Sequence, residues 1–338
     1  MASLQADASA AQDRYQKAVA ERDQAQLQVV DLERRTSTLR AQATGLRSDL
    51  ARRAVAMYKS SDAGGGLDAL GSDDQLEASR KTKLRQAADQ YDEGQAKQLS
   101  ETADGLRQTQ VDLQRKRTEL DDLVARVGEE REALEQKVAR ANRGLEIAET
   151  LGPLRAMGEP IMGPSVLSAA EIVTWYRSTG ASPRLSGGMT IDQLAQIFID
   201  EGTAENVRGD LAFAQANIET GGFRAGGSDN NFSGLGACGG CGGQNRFPTA
   251  LDGVRAQIQL LRNYADRDSR AAGLTHPPSP YWYGPDPVTA ARNFDGFSAK
   301  GSAPTWRVMG NGKWATDPNY SSKVLGTYDK MIADSGGP

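Results

Sequence analysis

Apolar residues recur every seven positions through residues 1–148. One series in the first half contains Leu4, Ala11, Ala18, Ala25, Leu32, Leu39 and Leu46, and a second, four residues later, includes Ala8, Tyr15, Val29, Ala43, Leu50 and Met57. The later half has Leu99, Leu106, Leu113, Leu120, Val127, Leu134 and Ala141, with a partner series of Ala103, Val124, Val138 and Leu145. Such repeats place apolar side chains on one stripe of each helix and predict a coiled coil, with Arg22, Gln110, Arg117 and Arg131 as polar interruptions.

A glycine-rich segment, "SSDAGGGLDALGSDD" at residues 60–74, separates the two halves. Each glycine costs a helix about 1 kcal/mol relative to alanine, so three in succession favour a break. The pattern therefore predicts two long helices folding back as an antiparallel hairpin over residues 1–148, with a helix–loop–helix tip near residues 57–80.

A second change of character occurs at residues 149–163, "ETLGPLRAMGEPIMG", whose prolines and glycines predict a linker. Helical patterns return from residue 164, at about 164–177, 189–202, 206–222, 249–267 and 320–334. Ser168 with Glu171, and Thr190 with Gln193, have the spacing of capping boxes that begin helices. Alternating strand patterns are almost absent, so the predicted fold is all-α: the hairpin plus a mainly α domain at 164–338.

Composition narrows the functional classes. The chain has 338 residues, a net charge of −4 and only 6% aromatic residues. Without a concentrated basic surface, nucleic acid is not an expected partner. No apolar run of about 18 residues predicts a membrane-spanning helix. The polar opening "MASLQADASAAQDR" reads as the start of a mature protein, so we expect a removed signal peptide and a secreted, cell-surface or periplasmic location.

The two cysteines form one CxxC motif, Cys238 and Cys241, and His276 is the single histidine. Structural zinc sites usually need four such ligands, so we predict no metal, and nothing in the sequence implies a cofactor. The motif lies among glycines rather than at a helix start, which disfavours a thioredoxin-type redox site. A local structural disulfide in an exported protein is the favoured interpretation.

The stretch "FAQANIETGGF", residues 213–223, takes an apolar helix directly into Glu219 and a glycine turn. A desolvated carboxylate is costly unless it is paired or used. Glu219 could pair with Arg208 or Arg224. Alternatively, desolvation could raise its pKa and suit it to general acid catalysis. The residues alone leave both interpretations open.

Four segments, in order, resemble the bacterial glucosaminidase family of peptidoglycan hydrolases in its actinobacterial form. They are "AFAQANIETGGF", "DNNFSGLGACGGC", "FPTALDGVRAQIQLLRNYA" and "TWRVMGNGKWATDPNYSSKVLGTYDKM". The resemblance implies a lysozyme-like α fold and cleavage of the β-1,4 glycosidic bond after N-acetylglucosamine.

The resemblance also implies roles for individual residues. Glu219 aligns with the general acid, and the segment that shapes the cleft contributes Asn230, Asn231 and Gly234. Trp314, Asp317 and Tyr320 align with a motif whose aromatic residues line the sugar groove, with core packing as the alternative for Trp314 and Tyr320. Further sugar-stacking candidates, with core or surface roles as the alternative, are Trp306, Trp282 and Tyr283. Cys238 and Cys241 are expected to be structural.

Glycoside hydrolysis usually employs two carboxylates, and the second is not obvious. Residues 220–251 contain no glutamate and one aspartate, Asp229. Asp252 follows at the start of the next helix, where capping is its expected role. Asp229 could activate water, or the substrate's 2-acetamido group could assist and leave Glu219 as the only essential carboxylate.

The segment "ARRAVAMYKSSDAGGGLDALGSDDQLEASRKTKL" resembles the tip of coiled-coil regulators attached to exported cell-wall hydrolases. This resemblance implies docking on a membrane division complex of the FtsEX type. The residues expected to contact the partner, or alternatively to cap the hairpin internally, are Met57, Tyr58, Leu67, Leu70 and Leu76. The sequence thus predicts a secreted peptidoglycan hydrolase regulated by its coiled coil. The alternatives are an inactive cell-wall-binding scaffold and a phage-derived lysin.

Overall fold

A computed structural model describes residues 2–62, 75–225, 229–236, 245–310 and 312–337. The helices are α1 (Ala2–Asp62), α2 (Gln75–Ala156), α3 (Ala169–Ser178), α4 (Ile191–Ala204), α5 (Gly209–Glu219), α6 (Ala250–Ala265), α7 (Pro280–Tyr283), α8 (Pro287–Asp295) and α9 (Tyr320–Asp334). These described ranges contain no β-strand, only two isolated bridges. The prediction of an all-α fold is confirmed.

The chain forms two compact units: Ser9–Glu135, and Gln136–Pro338 together with Met1–Ala8. The first contains most of α1 and α2. Its cross-helix ion pairs join Arg14 to Glu130, Glu21 to Arg126, Glu33 to Arg117, and Arg53 to Asp92. As residue numbers rise along α1 they fall along α2, so the helices run antiparallel and fit the predicted hairpin.

The predicted seam of α1 is buried or half-buried from Leu4 to Leu50, most completely at Ala11, Ala18, Ala25 and Val29, but its last residue, Met57, is exposed. The prediction of the partner series of α2 is wrong by one position, because the residues that face the seam lie one position earlier in the sequence. Val124 is 54% exposed, whereas its neighbour Leu123 is half-buried. Positions three and four residues after a seam residue both lie near the seam in a helix, and adjacent apolar residues leave either register open. In the observed register Gln110, Arg117 and Arg131 leave the seam and are exposed.

At the tip end of α1, Met57 is 53% and Tyr58 69% exposed. Leu67 and Leu70 lie outside the described residues, as does the side chain of Leu76. The predicted partner surface is therefore described only at its α1 side.

The predicted linker at 149–163 is helical as far as Ala156, and Pro153 lies inside α2. Ile147 and Leu151 are fully buried in the core of the C-terminal unit. A proline inside a helix removes one backbone hydrogen bond, and burial of the apolar face that Ile147 and Leu151 form with Leu154 offsets that loss. The second compact unit accordingly begins at residue 136, before the predicted boundary.

The predicted capping boxes are present, with Ser168 at α3 and Thr190 at α4. Thr249 and Asp252 form a third at α6, so the capping role expected for Asp252 is confirmed. The short helices α7 and α8 were not predicted, and each begins at a proline.

Helix α5 lies at the centre of the C-terminal unit, with every residue from Gly209 to Ala216 buried. A Cβ added to Gly209 would lie 2.1 Å from the carbonyl oxygen of Phe198. Only glycine therefore permits this approach of α5 to α4. At the other end, the rings of Phe213 and Phe223 pack with centroids 5.0 Å apart. The result is a closely packed helix that ends at Glu219.

Candidate active site

Glu219 is the last residue of α5, and its half-buried carboxylate contacts two residues from the C-terminal segment. Its Oε1 accepts hydrogen bonds from Trp314 Nε1 at 3.0 Å and from the hydroxyl of Tyr320 at 2.5 Å. Tyr320 is the first residue of α9, and Trp314 lies in the preceding loop. The structure thus brings together three of the predicted site residues.

The other interpretation of Glu219, pairing with Arg208 or Arg224, is wrong. Arg208 donates to Glu159 at 2.6 Å near the opposite end of α5, and no ion pair of the described residues joins Glu219 to an arginine, lysine or histidine. Glu159, Glu201 and Glu205, buried more deeply, each pair with an arginine. Glu219 is held by neutral donors instead.

Burial raises the pKa of Glu219 above the ordinary glutamate range. The hydrogen bonds from Tyr320 and Trp314 stabilise the ionised form and offset part of this shift. The pKa of Tyr320 is raised as well, first by burial and then by the nearby charge of Glu219. Tyr320 therefore keeps its proton and remains a hydrogen-bond donor to the carboxylate.

The described loop at residues 229–236 passes beside the carboxylate. Gly234 has a φ of +67°, and a Cβ there would lie 3.8 Å from Glu219 Oε2. The loop reaches this position because Gly253 of α6 allows it to approach. A Cβ on Gly253 would lie 1.8 Å from the carbonyl oxygen of Asn230.

Asn230 and Asn231 fix the loop with their side chains. Asn230 accepts from Ser186 Oγ at 2.8 Å and donates to the carbonyl of Phe247 at 2.9 Å. Asn231 donates to two carbonyls and accepts from the backbone N–H of Leu235. Both residues are buried, so they shape the site through the loop that they hold.

The ring of Trp314 packs against Tyr264, with centroids 5.8 Å apart. Tyr264 in turn donates to the carbonyl of Lys313 at 3.0 Å. The indole is half-buried, so one side is held while part of it stays accessible. Asp317 is bonded to Lys323 at 2.6 Å, outside the contacts of Glu219.

Trp306, predicted as a substrate contact, is fully buried in the core. Tyr283 is also buried, whereas Trp282 is half-buried. The sequence of a loop-rich segment does not distinguish an aromatic residue that lines a groove from one that packs in the core. Burial therefore removes Trp306 and Tyr283 from the set of sugar-stacking residues. It also removes Tyr320, which is as buried as Tyr283 and contacts Glu219 through its hydroxyl instead.

Asp229, the candidate second carboxylate, lies 3.4 Å from Nε of Arg246. Its side chain is 31% exposed.

Cys238 and Cys241 lie outside the described residues. Within the described ranges no group of three histidine, cysteine or acidic residues is arranged to hold a metal. None of the described helices carries an apolar stretch that could span a bilayer.

Sequence reasoning missed two buried glutamines behind the site. Gln215 donates to the hydroxyl of Tyr320 at 2.8 Å, and Gln257 of α6 donates to Gln215 Oε1 at 2.8 Å. The spacing of Gln215, one helical turn before Glu219, was a usable signal. The sequence contained no comparable signal for Gln257, because its contact with α5 depends on how the helices pack.

Comparison with known proteins gives one partial similarity. The chain is 30% identical over 138 residues to an uncharacterized protein of Borreliella burgdorferi, and the match covers 40% of this chain and 59% of that relative. No family model matches the chain. No solved structure matches it either. The comparisons therefore add no support to the glucosaminidase resemblance, which depends on the four sequence segments.

Proposed function

We propose that this protein is a glycoside hydrolase that cleaves the β-1,4 bond after N-acetylglucosamine in peptidoglycan, with Glu219 as its general acid. The observation that carries the proposal is the environment of the Glu219 carboxyl group. It is half-buried, its pKa is raised, and it accepts hydrogen bonds from two neutral donors while no cation of the described ranges pairs with it. A raised pKa lets a carboxyl group keep its proton to higher pH than an ordinary glutamate, and a protonated carboxyl group is what a glycosidic leaving group requires.

In the proposed reaction, Glu219 gives its proton to the glycosidic oxygen as the bond from that oxygen to the anomeric carbon breaks. The leaving sugar departs as a neutral alcohol, and charge develops on the anomeric carbon until water adds. The carboxylate that remains is stabilised by hydrogen bonds from Tyr320 and Trp314. The proton that water releases returns to Glu219 directly when no other base takes it; when a base takes it, that base passes a proton to solvent and Glu219 regains one from solvent.

The anomeric carbon needs a nucleophile, which is either water activated by a base or the 2-acetamido oxygen of the substrate, with water following in a second step. Asp229 can serve as the base in this proposal, and the 2-acetamido group of the substrate is the alternative. Asp229→Asn separates them. A loss of about 10²- to 10⁴-fold in rate assigns the water to Asp229, whereas an unchanged rate assigns the step to the acetamido group.

Mass spectrometry of purified peptidoglycan after digestion by the full chain tests the activity. We expect new reducing ends that carry N-acetylglucosamine, and their loss in Glu219→Gln. Asp200→Asn, which alters an exposed carboxylate on α4, is the matched control and should digest normally. Reducing-end N-acetylmuramic acid, or equal products from Glu219→Gln, would contradict the proposal.

A cell-wall-binding scaffold without turnover is the second candidate. The observation that favours it is the ion pair between Asp229 and Arg246, which engages the only described acidic side chain of the 229–236 loop. A scaffold would sediment with peptidoglycan and leave its glycan strands intact after long incubation.

The proposal also assigns the hairpin a regulatory role through a membrane division complex of the FtsEX type. A test should keep Ile147 and Leu151, which belong to the core of the C-terminal unit. Replacing residues 9–135 with a short Gly/Ser connection meets this condition. Increased digestion would support inhibition by the hairpin, and unchanged digestion would refute that part of the proposal.

A further inference from the structure

Behind Tyr320, a chain of hydrogen bonds runs from Glu219 through α5 to α6. The hydroxyl of Tyr320 donates to Glu219 and accepts from Gln215 Nε2 at 2.8 Å. Gln215 Oε1 accepts from Gln257 Nε2 at 2.8 Å. The two glutamines are fully buried and Tyr320 is 4% exposed, so water does not compete for these bonds.

The Gln257 end of this hydrogen-bond chain fixes the donor and the acceptor of every bond in it. Gln257 Nε2 lies 3.1 Å from the carbonyl oxygen of Ala212, which can only accept. The NH₂ group of Gln257 must therefore face α5, and the amide oxygen of Gln215 must turn toward it. The NH₂ group of Gln215 is then left for Tyr320, whose single proton can go only to Glu219.

This arrangement distinguishes the two oxygens of Glu219. Oε1 receives the protons of Tyr320 and Trp314, and an indole N–H cannot act as an acceptor. A proton carried by Glu219 therefore belongs on Oε2. That oxygen faces Gly234, where a Cβ would lie only 3.8 Å away.

We infer that Gln215 and Gln257 are positioning residues, which orient the hydroxyl of Tyr320 so that Glu219 carries its acid proton on Oε2 toward Gly234. The assignment of that proton to a glycosidic oxygen depends on the proposed function. The orientation of the hydrogen bonds from Gln257 to Glu219 does not depend on that function.

Other charged groups do not account for the ionisation of Glu219, because none of them pairs with it in the described residues. On the surrounding elements, Asp229 pairs with Arg246 and Asp317 with Lys323. On α5 and the two adjoining loops the other charged side chains are Asp210, at the far end of α5, and the exposed Arg224 and Lys313. Helices α6 and α9 carry further charged residues, none of which forms an ion pair with Glu219 among the described residues: Asp252, Arg255, Arg262, Asp329, Lys330 and Asp334. No cation of the described residues forms an ion pair with Glu219, and Tyr320 is the titratable group that contacts it.

The indole N–H signal of Trp314 offers a direct test in the full chain. Its nuclear magnetic resonance shift should follow the ionisation of Glu219, because the two groups are hydrogen-bonded. The chain has four tryptophans, so Trp314→Phe identifies the signal. Glu219→Gln should abolish its titration.

Gln257→Met should move the titration midpoint upward. Without Gln257, the amide of Gln215 can turn and accept the proton of Tyr320, and the ionised form of Glu219 then loses a donor. Tyr320→Phe should shift the midpoint in the same direction. The double variant should shift no further than Tyr320→Phe alone, because both changes remove the same bond.

Gln259→Met is the matched control. Gln259 is also a fully buried glutamine of α6, but it binds the backbone of His276, Pro277 and Ser279. It should destabilise the fold without moving the Trp314 midpoint. An unshifted midpoint in Gln257→Met, or an equal shift in Gln259→Met, would overturn the inference.

Gln215→Met breaks the same chain and carries the test if Gln257→Met does not fold. The readout needs no hydrolysis, so the two proposals can fail separately. A shifted midpoint in a protein that cleaves nothing would refute only the hydrolase. Cleavage with an unshifted midpoint would refute only the positioning role.

Discussion

The two ends of α5 hold carboxylates in different ways. At the beginning, Asp210 accepts from Tyr328 of α9 at 2.7 Å, beside the buried guanidinium of Arg208. At the end, Glu219 accepts from Tyr320, also of α9, at 2.5 Å, and no cation in the described part of the chain pairs with it. Both acids thus receive a tyrosine hydroxyl from the same helix. Asp210 is fully buried, accepts backbone N–H groups as well and lies beside a cation, whereas Glu219 is half-buried and accepts from the indole of Trp314.

This difference separates a structural acid from a reactive one. A buried arginine requires its carboxylate partners, because removal of one leaves an uncompensated charge. A carboxylate without a cation is free to exchange charge for a proton at modest cost to the fold. The comparison therefore predicts that one end of α5 contributes mainly to stability and the other mainly to chemistry.

The largest effect on stability is expected from Asp210→Asn. This change leaves Arg208 buried with one partner fewer and should lower the free energy of unfolding by on the order of 3 to 5 kcal/mol. Denaturant unfolding of the variant beside the parent measures it. If Asp210→Asn lowered the free energy of unfolding by less than Glu219→Gln does, the proposed difference between the two ends of α5 would be contradicted.

Gly234→Ala sharpens the contrast at the reactive end. The left-handed backbone of Gly234 should cost the variant about 1 to 2 kcal/mol of stability. The new methyl group beside Oε2 should also lower hydrolysis by roughly tenfold or more.

Gly180→Ala is its control, because Gly180 has a φ of +68° and open space at its Cβ position. It should lose similar stability and keep its activity. Equal activity in the two alanine variants would contradict the placement of substrate beside Oε2.

The pH dependence of stability gives a smaller effect with a defined sign. Because the folded-state pKa of Glu219 is raised, the folded state binds its proton more tightly than the unfolded state. Glu219 should therefore favour folding at acidic pH, and this contribution should fall as pH rises from the ordinary glutamate range through the raised pKa.

Glu219→Gln lacks this dependence. Its stability relative to the parent should increase from acidic to neutral pH, as thermal unfolding across that range would record. A relative decrease would mean that the carboxylate is stabilised in its ionised form, as at a structural ion pair.

The smallest effect is expected from the hairpin, whose ion pairs are largely exposed. Arg14 and Glu130 are 52% and 26% exposed, and Arg14→Gln should cost about 1 kcal/mol or less, with the loss reduced further by salt. A larger, salt-insensitive loss would place this pair with the buried ones of the C-terminal unit.

The sequence predicted the features that depend on local spacing. The capping boxes at Ser168 and Thr190, the α1 seam and the helix that ends at Glu219 follow from residues within a few turns of one another. The features it missed depend on distant contacts. The burial of Trp306, the continuation of α2 through Pro153 and the bond from Gln257 to Gln215 all arise from packing that a local pattern does not record.

The central claim, that Glu219 acts as a general acid, is tested most directly by comparing two leaving groups in Glu219→Gln. Dinitrophenolate is a weak base and departs without a proton, whereas a sugar alcohol needs one. The account predicts about a thousandfold loss of hydrolysis on peptidoglycan glycan, with most activity kept on a dinitrophenyl β-glycoside of an N-acetylglucosamine oligomer. Equal losses on both substrates would contradict the assignment.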